Sequence, residues 1–191
     1  GISGKVSETS KKGDPAFLRT RNQIIGSNFE AIIAAKQKAE GLGYTTLALS
    51  SMIEGETKDV AHVHGAIARE ILKTGNPIPP PACILSGGET TVTITGKGLG
   101  GRSQEFSLAM AIDIAGNESI VALSAGTDGT DGPTEAAGAV ADTDTFKRAV
   151  SMGLDPRQFL VNNDSYHFFD QLGDLFITGP TNTNVMDMRI I

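Results

Sequence analysis

The sequence has no tryptophan, two tyrosines and one cysteine, Cys83, in 191 residues. A single cysteine excludes an internal disulfide framework and any metal site built from several thiolates. It also fits a reducing compartment, so the cytoplasm is the expected location. Aromatic residues make up 5%, so the core must be built from Ala, Val, Ile and Leu. Positive charge is scarce as well: 16 Lys and Arg stand against 22 Asp and Glu, a net charge of −6. Reading a nucleic-acid backbone takes a basic stripe, so no nucleic-acid partner is expected. No apolar run reaches the roughly 18 residues of a spanning helix, so no membrane is expected either. The opening GISGKVSETSKKGDP lacks the apolar stretch of a secretory signal.

What the sequence does have is glycine and alternation. Residues 1–21 are polar and read as a linker or arm, and residues 22–191 as one α/β domain. Ser27-Asn28 begins a helix with Ala31, Ile32, Ala35 and Ala39 at helical spacing, stopped at Gly41 or Gly43. YTTLALS (44–50) reads as a buried strand. Residues 56–73 form a long helix with Val60, Val63, Ile67, Ile71 and Leu72 on its apolar face. CILS (83–86) and TTVTIT (90–95), joined by glycines, read as a β-hairpin. A helix over 102–115 precedes the strand 119–126 and a short strand over 137–142. Helices near 143–151, 156–161 and 165–172 lead to a last strand, LFIT (175–178). The expected fold is α/β, three-layered around a mixed sheet of Rossmann-like topology, with that one hairpin.

Four places are candidates for chemistry. Gly96-x-Gly98-x-x-Gly101 follows a strand and opens a helix, as a dinucleotide loop does. The half-polar TTVTIT argues against a central Rossmann strand, which is apolar on both faces. An anion-binding loop and a structural glycine turn both stay open. Arg102 follows the loop directly. A cation at a helix N-terminus opposes the macrodipole, and faces a phosphate or carboxylate more readily than nothing. Gln104 and Glu105 share that first turn. The run Thr127-Asp128-Gly129-Thr130-Asp131-Gly132 follows the most apolar strand, where open α/β sheets place ligands. Its two carboxylates suit a general base or a Mg²⁺ shell. Asp128 should be fixed by the sheet, and Asp131 should be the more mobile and replaceable, a candidate metal ligand. Ser86-Gly87-Gly88-Glu89-Thr90 offers backbone N–H groups to an anion, or simply turns. His62 and His64, at i and i+2, do not share a helix face and read as surface or half-buried residues. Asn162-Asn163-Asp164 and residues 178–184 line a cleft or turn.

The segments GGETTVTITGKGLGGRSQEFSLAMA, LSAGTDGTDGPTEAAGAVAD and TGPTNTNVMDM, in that order, resemble the C-terminal MOFRL module of the class II glycerate kinases, the glycerate 2-kinases. RNQIIGSNFEAIIAAKQKAEGLGY and EGETKDVAHVHGAIAREI resemble the segment before that module. The resemblance implies a two-domain kinase that uses ATP and Mg²⁺ to convert D-glycerate to 2-phosphoglycerate. It implies catalytic roles for Arg102 and Asp128. With the local reading it makes Gly87, Gly88, Glu89, Thr90, Gly100, Gly101, Gln104, Thr127 and Gly129 candidates for holding substrate or phosphate. It further implies a lysine on an N-terminal Rossmann-like domain that this chain does not contain. Two other readings stay open: an NAD(P)-dependent hydroxypyruvate reductase that uses GKGLGG as its dinucleotide loop, and a non-catalytic domain that binds small anions.

Overall fold

A computed structural model describes residue 4, residues 9–117 and residues 119–191. Its strands are β1 (Thr45–Ile53), β2 (Ala82–Gly88), β3 (Val121–Gly126), β4 (Gly138–Asp142), β5 (Leu175–Phe176) and β6 (Asp187–Ile190). Its helices are α1 (Asn28–Gly41), α2 (Thr57–Thr74), α3 (Arg102–Asp113), α4 (Thr145–Ser151), α5 (Pro156–Val161) and α6 (Ser165–Leu172). The strands form one open mixed sheet in the order β1-β2-β6-β3-β4-β5, which is the α/β class read from the sequence. Only β1 and β2 pair in parallel, across the α2 crossover; every other pairing is antiparallel. The Rossmann-like part of the sheet is therefore that single β1-α2-β2 unit.

Helices cover both faces. Ile32 and Ala39 of α1 pack on Cys83 and Leu85, while Ala61, Ala68 and Ile71 of α2 meet Ile84, Phe106 and Ala122 on the other side. A second cluster on that side joins Leu108 and Ala111 of α3 to Ala139, Ala141, Phe168 and Phe169. Nine consecutive residues of α3, Ser103 to Ala111, are buried. This helix is enclosed all round, which fits its small and uncharged middle.

YTTLALS forms β1, but at the edge of the sheet and with none of its residues buried, not as a buried strand. Three further expectations change. The hairpin over 83–95 does not form. Gly87 and Gly88 lie inside β2, where they pair with Met188 and Asp187 of β6. Both edges of β2 are taken, by β1 and β6, so TTVTIT has no edge to join. It keeps one isolated bridge, Glu56 to Thr91, and crosses the top of the sheet. The second change is β6, absent from the sequence reading, which sits in the middle of the sheet. The third is the buried face of α2. It consists of Thr57, Ala61, His64, Gly65, Ala68 and Ile71, whereas Val63 and Leu72 are exposed. His64 is thus a core residue rather than a surface or half-buried one. One ring nitrogen contacts the Val60 carbonyl at 2.7 Å, the other the Ser86 hydroxyl at 2.8 Å. Burial drives its pKa down and keeps the ring neutral, against the Val60 contact.

Residues 9–26 contain no buried side chain. Packing begins at Ser27, whose hydroxyl accepts from the Glu30 amide and caps α1. The next residue, Asn28, is buried and donates to the carbonyls of Val185 (2.7 Å) and Asp187 (2.8 Å), tying α1 to the entry of β6. Gly87 is required beside it, because a Cβ there would collide with the Asn28 amide. Asn28→Ala leaves buried acceptors unpaired. It should cost about 2 kcal/mol, a fall in Tm of roughly 4–8 °C for a domain this size, read by a melting curve.

Candidate active site

The carboxyl ends of β1, β2 and β3 and the amino end of β6 meet along one edge of the sheet. A cleft of about 650 Å³ opens there. Arg102, Glu105, Asp128, Asn163, Asn184 and Asp187 are among the residues that line it. This is the edge where open α/β sheets place their ligands.

Arg102 is the first residue of α3 and points into the cleft. Its Nε donates to Oδ2 of Asp187 at 2.7 Å and its Nη1 to Oε1 of Glu89 at 2.8 Å. The carboxylate that offsets the unfavourable helix end is therefore Asp187, on β6. Burial works against the Arg102 charge, but Asp187 and Glu89 outweigh it and hold its pKa above the ordinary value. Asp187 is 2% exposed. Burial lifts its carboxyl pKa, and the hydrogen bond and charge of Arg102 oppose the lift. Glu89, in contrast, lies on the exposed loop after β2.

The two aspartates of the TDGTDG run sit opposite to expectation. Asp131 is 4% exposed. Its Oδ1 accepts from the Ser103 amide (3.1 Å), and its Oδ2 from the Gln104 amide (2.8 Å) and side chain (3.0 Å). It is the distant N-cap of α3, which lacks a capping side chain of its own at Gly101. Burial pushes its pKa up to about 6, against the pull of the two amides. Asp128 is the open one. Its carboxylate accepts from the Thr130 amide (3.0 Å) and from Asn184 Nδ2 (3.0 Å), at the cleft mouth. The rigid, buried residue is thus Asp131, because the loop turns back at Gly129 and Gly132, both at positive φ.

The glycine-rich loop is a clasp. Four consecutive amides are engaged: Gly96 by Asn163 Oδ1, Lys97 by Asn162 Oδ1, Gly98 by the Asn162 carbonyl and Leu99 by Asp164 Oδ1, all at 2.9–3.1 Å. Each glycine fits against a neighbour that a Cβ would strike: Asn162 at Gly96, Asp164 at Gly98, Ser165 at Gly100 and Asp131 at Gly101. The structural reading of this loop prevails over the dinucleotide one, and the anion at the α3 N-terminus is the chain's own Asp131.

Of the other candidates, Gly100, Gly101 and Thr90 line the cleft. The Thr90 hydroxyl is buried between Thr57 (2.9 Å) and Arg189 (3.1 Å). Gln104 is buried on Asp131 and Thr134. Thr127 uses its hydroxyl on the Met186 carbonyl and the Val185 amide. Gly87, Gly88 and Gly129 serve backbone packing. Glu105, placed by the sequence only in the first turn of α3, is a buried carboxylate on the cleft wall, held by Asn163 Nδ2 at 3.0 Å, with its pKa raised by burial. Asp187 and Arg189 were missed altogether. The available signal was the alternation in VMDMRI, where two charged residues share one face of a strand.

The MOFRL family model matches residues 82–187. The D-glycerate 2-kinase of Thermotoga maritima is 41% identical over 87% of this chain and 40% of its own length. A putative hydroxypyruvate reductase of Agrobacterium vitis is 44% identical over 88% of this chain and 44% of its own. The crystal structure of a Thermotoga maritima glycerate kinase superposes with a TM-score of 0.87 at 41% identity, over 88% of this chain and 41% of that one. The chain spans about two fifths of the length of these relatives.

Asp131→Ala should cost at least about 2 kcal/mol through the lost cap and unpaired amides. Asp128→Ala should stay within about 0.5 kcal/mol of the parent. Denaturant unfolding of both variants checks this contrast. The raised pKa of Asp131 also sets a sign. Between the unfolded value of 3.8 and about 6 the folded chain holds a proton that the unfolded chain has released. Its contribution to stability is therefore full below that window and is lost as pH rises through about 6. Denaturation of Asp131→Asn beside wild type at pH 4.5 and 7.5 should show a larger loss in wild type, the remainder coming from Asp187 and Glu105, whose carboxyls burial also raises.

Proposed function

The chain belongs to the MOFRL family, and from that premise we propose that it is the C-terminal part of a glycerate 2-kinase, transferring the γ-phosphoryl group of ATP to the 2-hydroxyl of D-glycerate. One observation carries the reading most: Arg102 enters the cleft held at Nε by a buried carboxylate and at Nη1 by an exposed, exchangeable one. Its Nη2 has no partner among the described residues. A phosphoryl oxygen can displace Glu89 and be met by two parallel N–H donors while Asp187 keeps the guanidinium in place. Positioning plus positive charge is what phosphoryl transfer asks of a protein.

Asp128 takes the second role. Thr130 and Asn184 orient it at the cleft mouth, where it can align the attacking hydroxyl and accept its proton. Mg²⁺ bound with ATP would neutralise phosphate charge. Such an ion is usually held by one or two carboxylates plus phosphate oxygens. Among the described residues no group of three or more His, Cys, Asp or Glu side chains forms a full metal shell. Asp128 fits as the carboxylate this chain would contribute; Asp131 does not, since its oxygens face α3. The remaining three fifths of the relatives' length is where we place the partner domain, with its lysine.

The names of the Agrobacterium relatives favour a reductase. The loop that reading relied on has its amides engaged internally, which weighs against it. Two assays on the complete protein that carries this chain decide between them: 2-phosphoglycerate formed from D-glycerate and ATP, and NADH oxidised with hydroxypyruvate. Kinase turnover is expected and reductase turnover is not. The isolated 191-residue chain should turn over no glycerate above a blank. In the complete protein Arg102→Lys should lower kcat by roughly 10³, because a point charge replaces two parallel donors. A kcat within about tenfold of wild type removes Arg102 from the mechanism.

A further inference from the structure

Beneath the cleft, out of reach of any substrate, lies a second arginine. Arg189 of β6 is fully buried, with Ser86 of β2 on one side and Ser124 of β3 on the other in the strand register. Its guanidinium lies 5.3 Å from the centre of the Phe106 ring. Its Nη2 donates to Thr90 (3.1 Å) and stands 3.6 Å from the same Asp187 Oδ2 that receives Arg102. Its Nε and Nη1 have no partner among the described residues.

A buried guanidinium with two unpaired donors is a poor stabilising device. Apolar residues of similar volume often do as well or better. Its use must lie in what it holds. We propose that Arg189 is a positioning residue: it fixes the Asp187 carboxylate from below, so that Arg102 stays bound at Nε and presents Nη1 and Nη2 to the cleft. The proposal rests on the kinase reading for its effect on turnover, but not for its geometry. Asp187 sits between two cations, with Glu89 the competing anion on Arg102. Without Arg189, Asp187 loses its lower contact and is free to turn, and Arg102 follows it away from the cleft.

The test uses the complete protein with Arg189→Met and Arg189→Lys. Methionine fills the space over Phe106 without charge; lysine keeps the charge but not the planar fork. Three quantities are read: Tm, kcat and KM for D-glycerate, and the NMR signal of the Arg102 Nε–H, assigned by its loss in Arg102→Lys. We expect the methionine variant to remain folded, with kcat at least about tenfold lower and KM within about threefold of wild type. Its Arg102 Nε–H signal should lose the downfield position of a charge-assisted bond. The lysine variant should recover part of both. An unchanged Nε–H signal in a folded methionine variant overturns the proposal whatever the kinetics, as does a kcat equal to wild type. If the wild-type protein phosphorylates no glycerate, the kinase reading fails, and the Nε–H signal still decides whether Arg189 holds Asp187. Should the methionine variant not fold, Arg189→Lys decides: a wild-type kcat and Nε–H signal there overturn the proposal, and a fall in both supports it.

Discussion

Asp131 holds the first turn of α3, and the site depends on where that turn begins. The helix is preceded by Gly101, a residue without a side chain to cap it, and from Ser103 to Ala111 it is enclosed by the core. Two buried amides at Ser103 and Gln104 would go unpaired without the Asp131 carboxylate. The close fit explains the residue preceding the helix: a Cβ at Gly101 would occupy the Asp131 carboxyl. Once that turn is fixed, Arg102 leaves the helix toward the cleft and Glu105 lies on its wall. A loop from the end of β3 thus sets a helix that starts nearly thirty residues earlier, and the geometry of the cleft becomes a consequence of core geometry.

A second constraint crosses the sheet. β6 brings Asp187 and Arg189 to the same face, two residues apart, between β2 and β3. Asp187 is shared by a cleft arginine and a buried one. This gives Arg102 one permanent partner and one replaceable partner, Glu89. A side chain held only by exposed carboxylates would lose them readily to water; one held only by buried carboxylates would have no donors left for a ligand. The division between a buried and an exposed acceptor is what leaves donors of the arginine free while its position is set.

How far the sequence reveals all this depends on the range of the interactions. Limits of α1, α2 and α5 follow from local signals: Ser27 as cap of α1, Gly75 as stop of α2, Asp155 before Pro156 at the start of α5. Arg102 and Asp128 could be singled out because they sit at a helix start and a strand end, both legible along the chain. The failures are all long-range. TTVTIT has strand chemistry, yet both edges of β2, its neighbour in the chain, are already taken by β1 and β6. DMRI carries two charges in four residues and escapes the sequence reading, although it pairs with β2 and β3 in the middle of the sheet. The ranking of Asp128 and Asp131 went wrong because distance from the strand was taken as distance from the core. Positive-φ glycines at 129 and 132 fold the loop back, so the later aspartate lies deeper.

The same distinction decides what the glycine-rich loop is for. Glycines placed between a strand and a helix are compatible with a phosphate loop and with a tight structural crossing, and the sequence cannot separate the two. Amide partners can. A phosphate loop must leave its N–H groups pointing at empty space. Here Asn162, Asn163 and Asp164 take the amides of residues 96–99, and the glycines are small because those residues press against them. The three polar residues, which read as a cleft lining or a turn, are the other half of the clasp. Asn163, which lines the cleft, also donates to Glu105. The clasp therefore joins the roof of the cleft to its wall. Among the described residues that line the cleft, the cation is Arg102, so positive charge there comes from a side chain set by the first turn of α3.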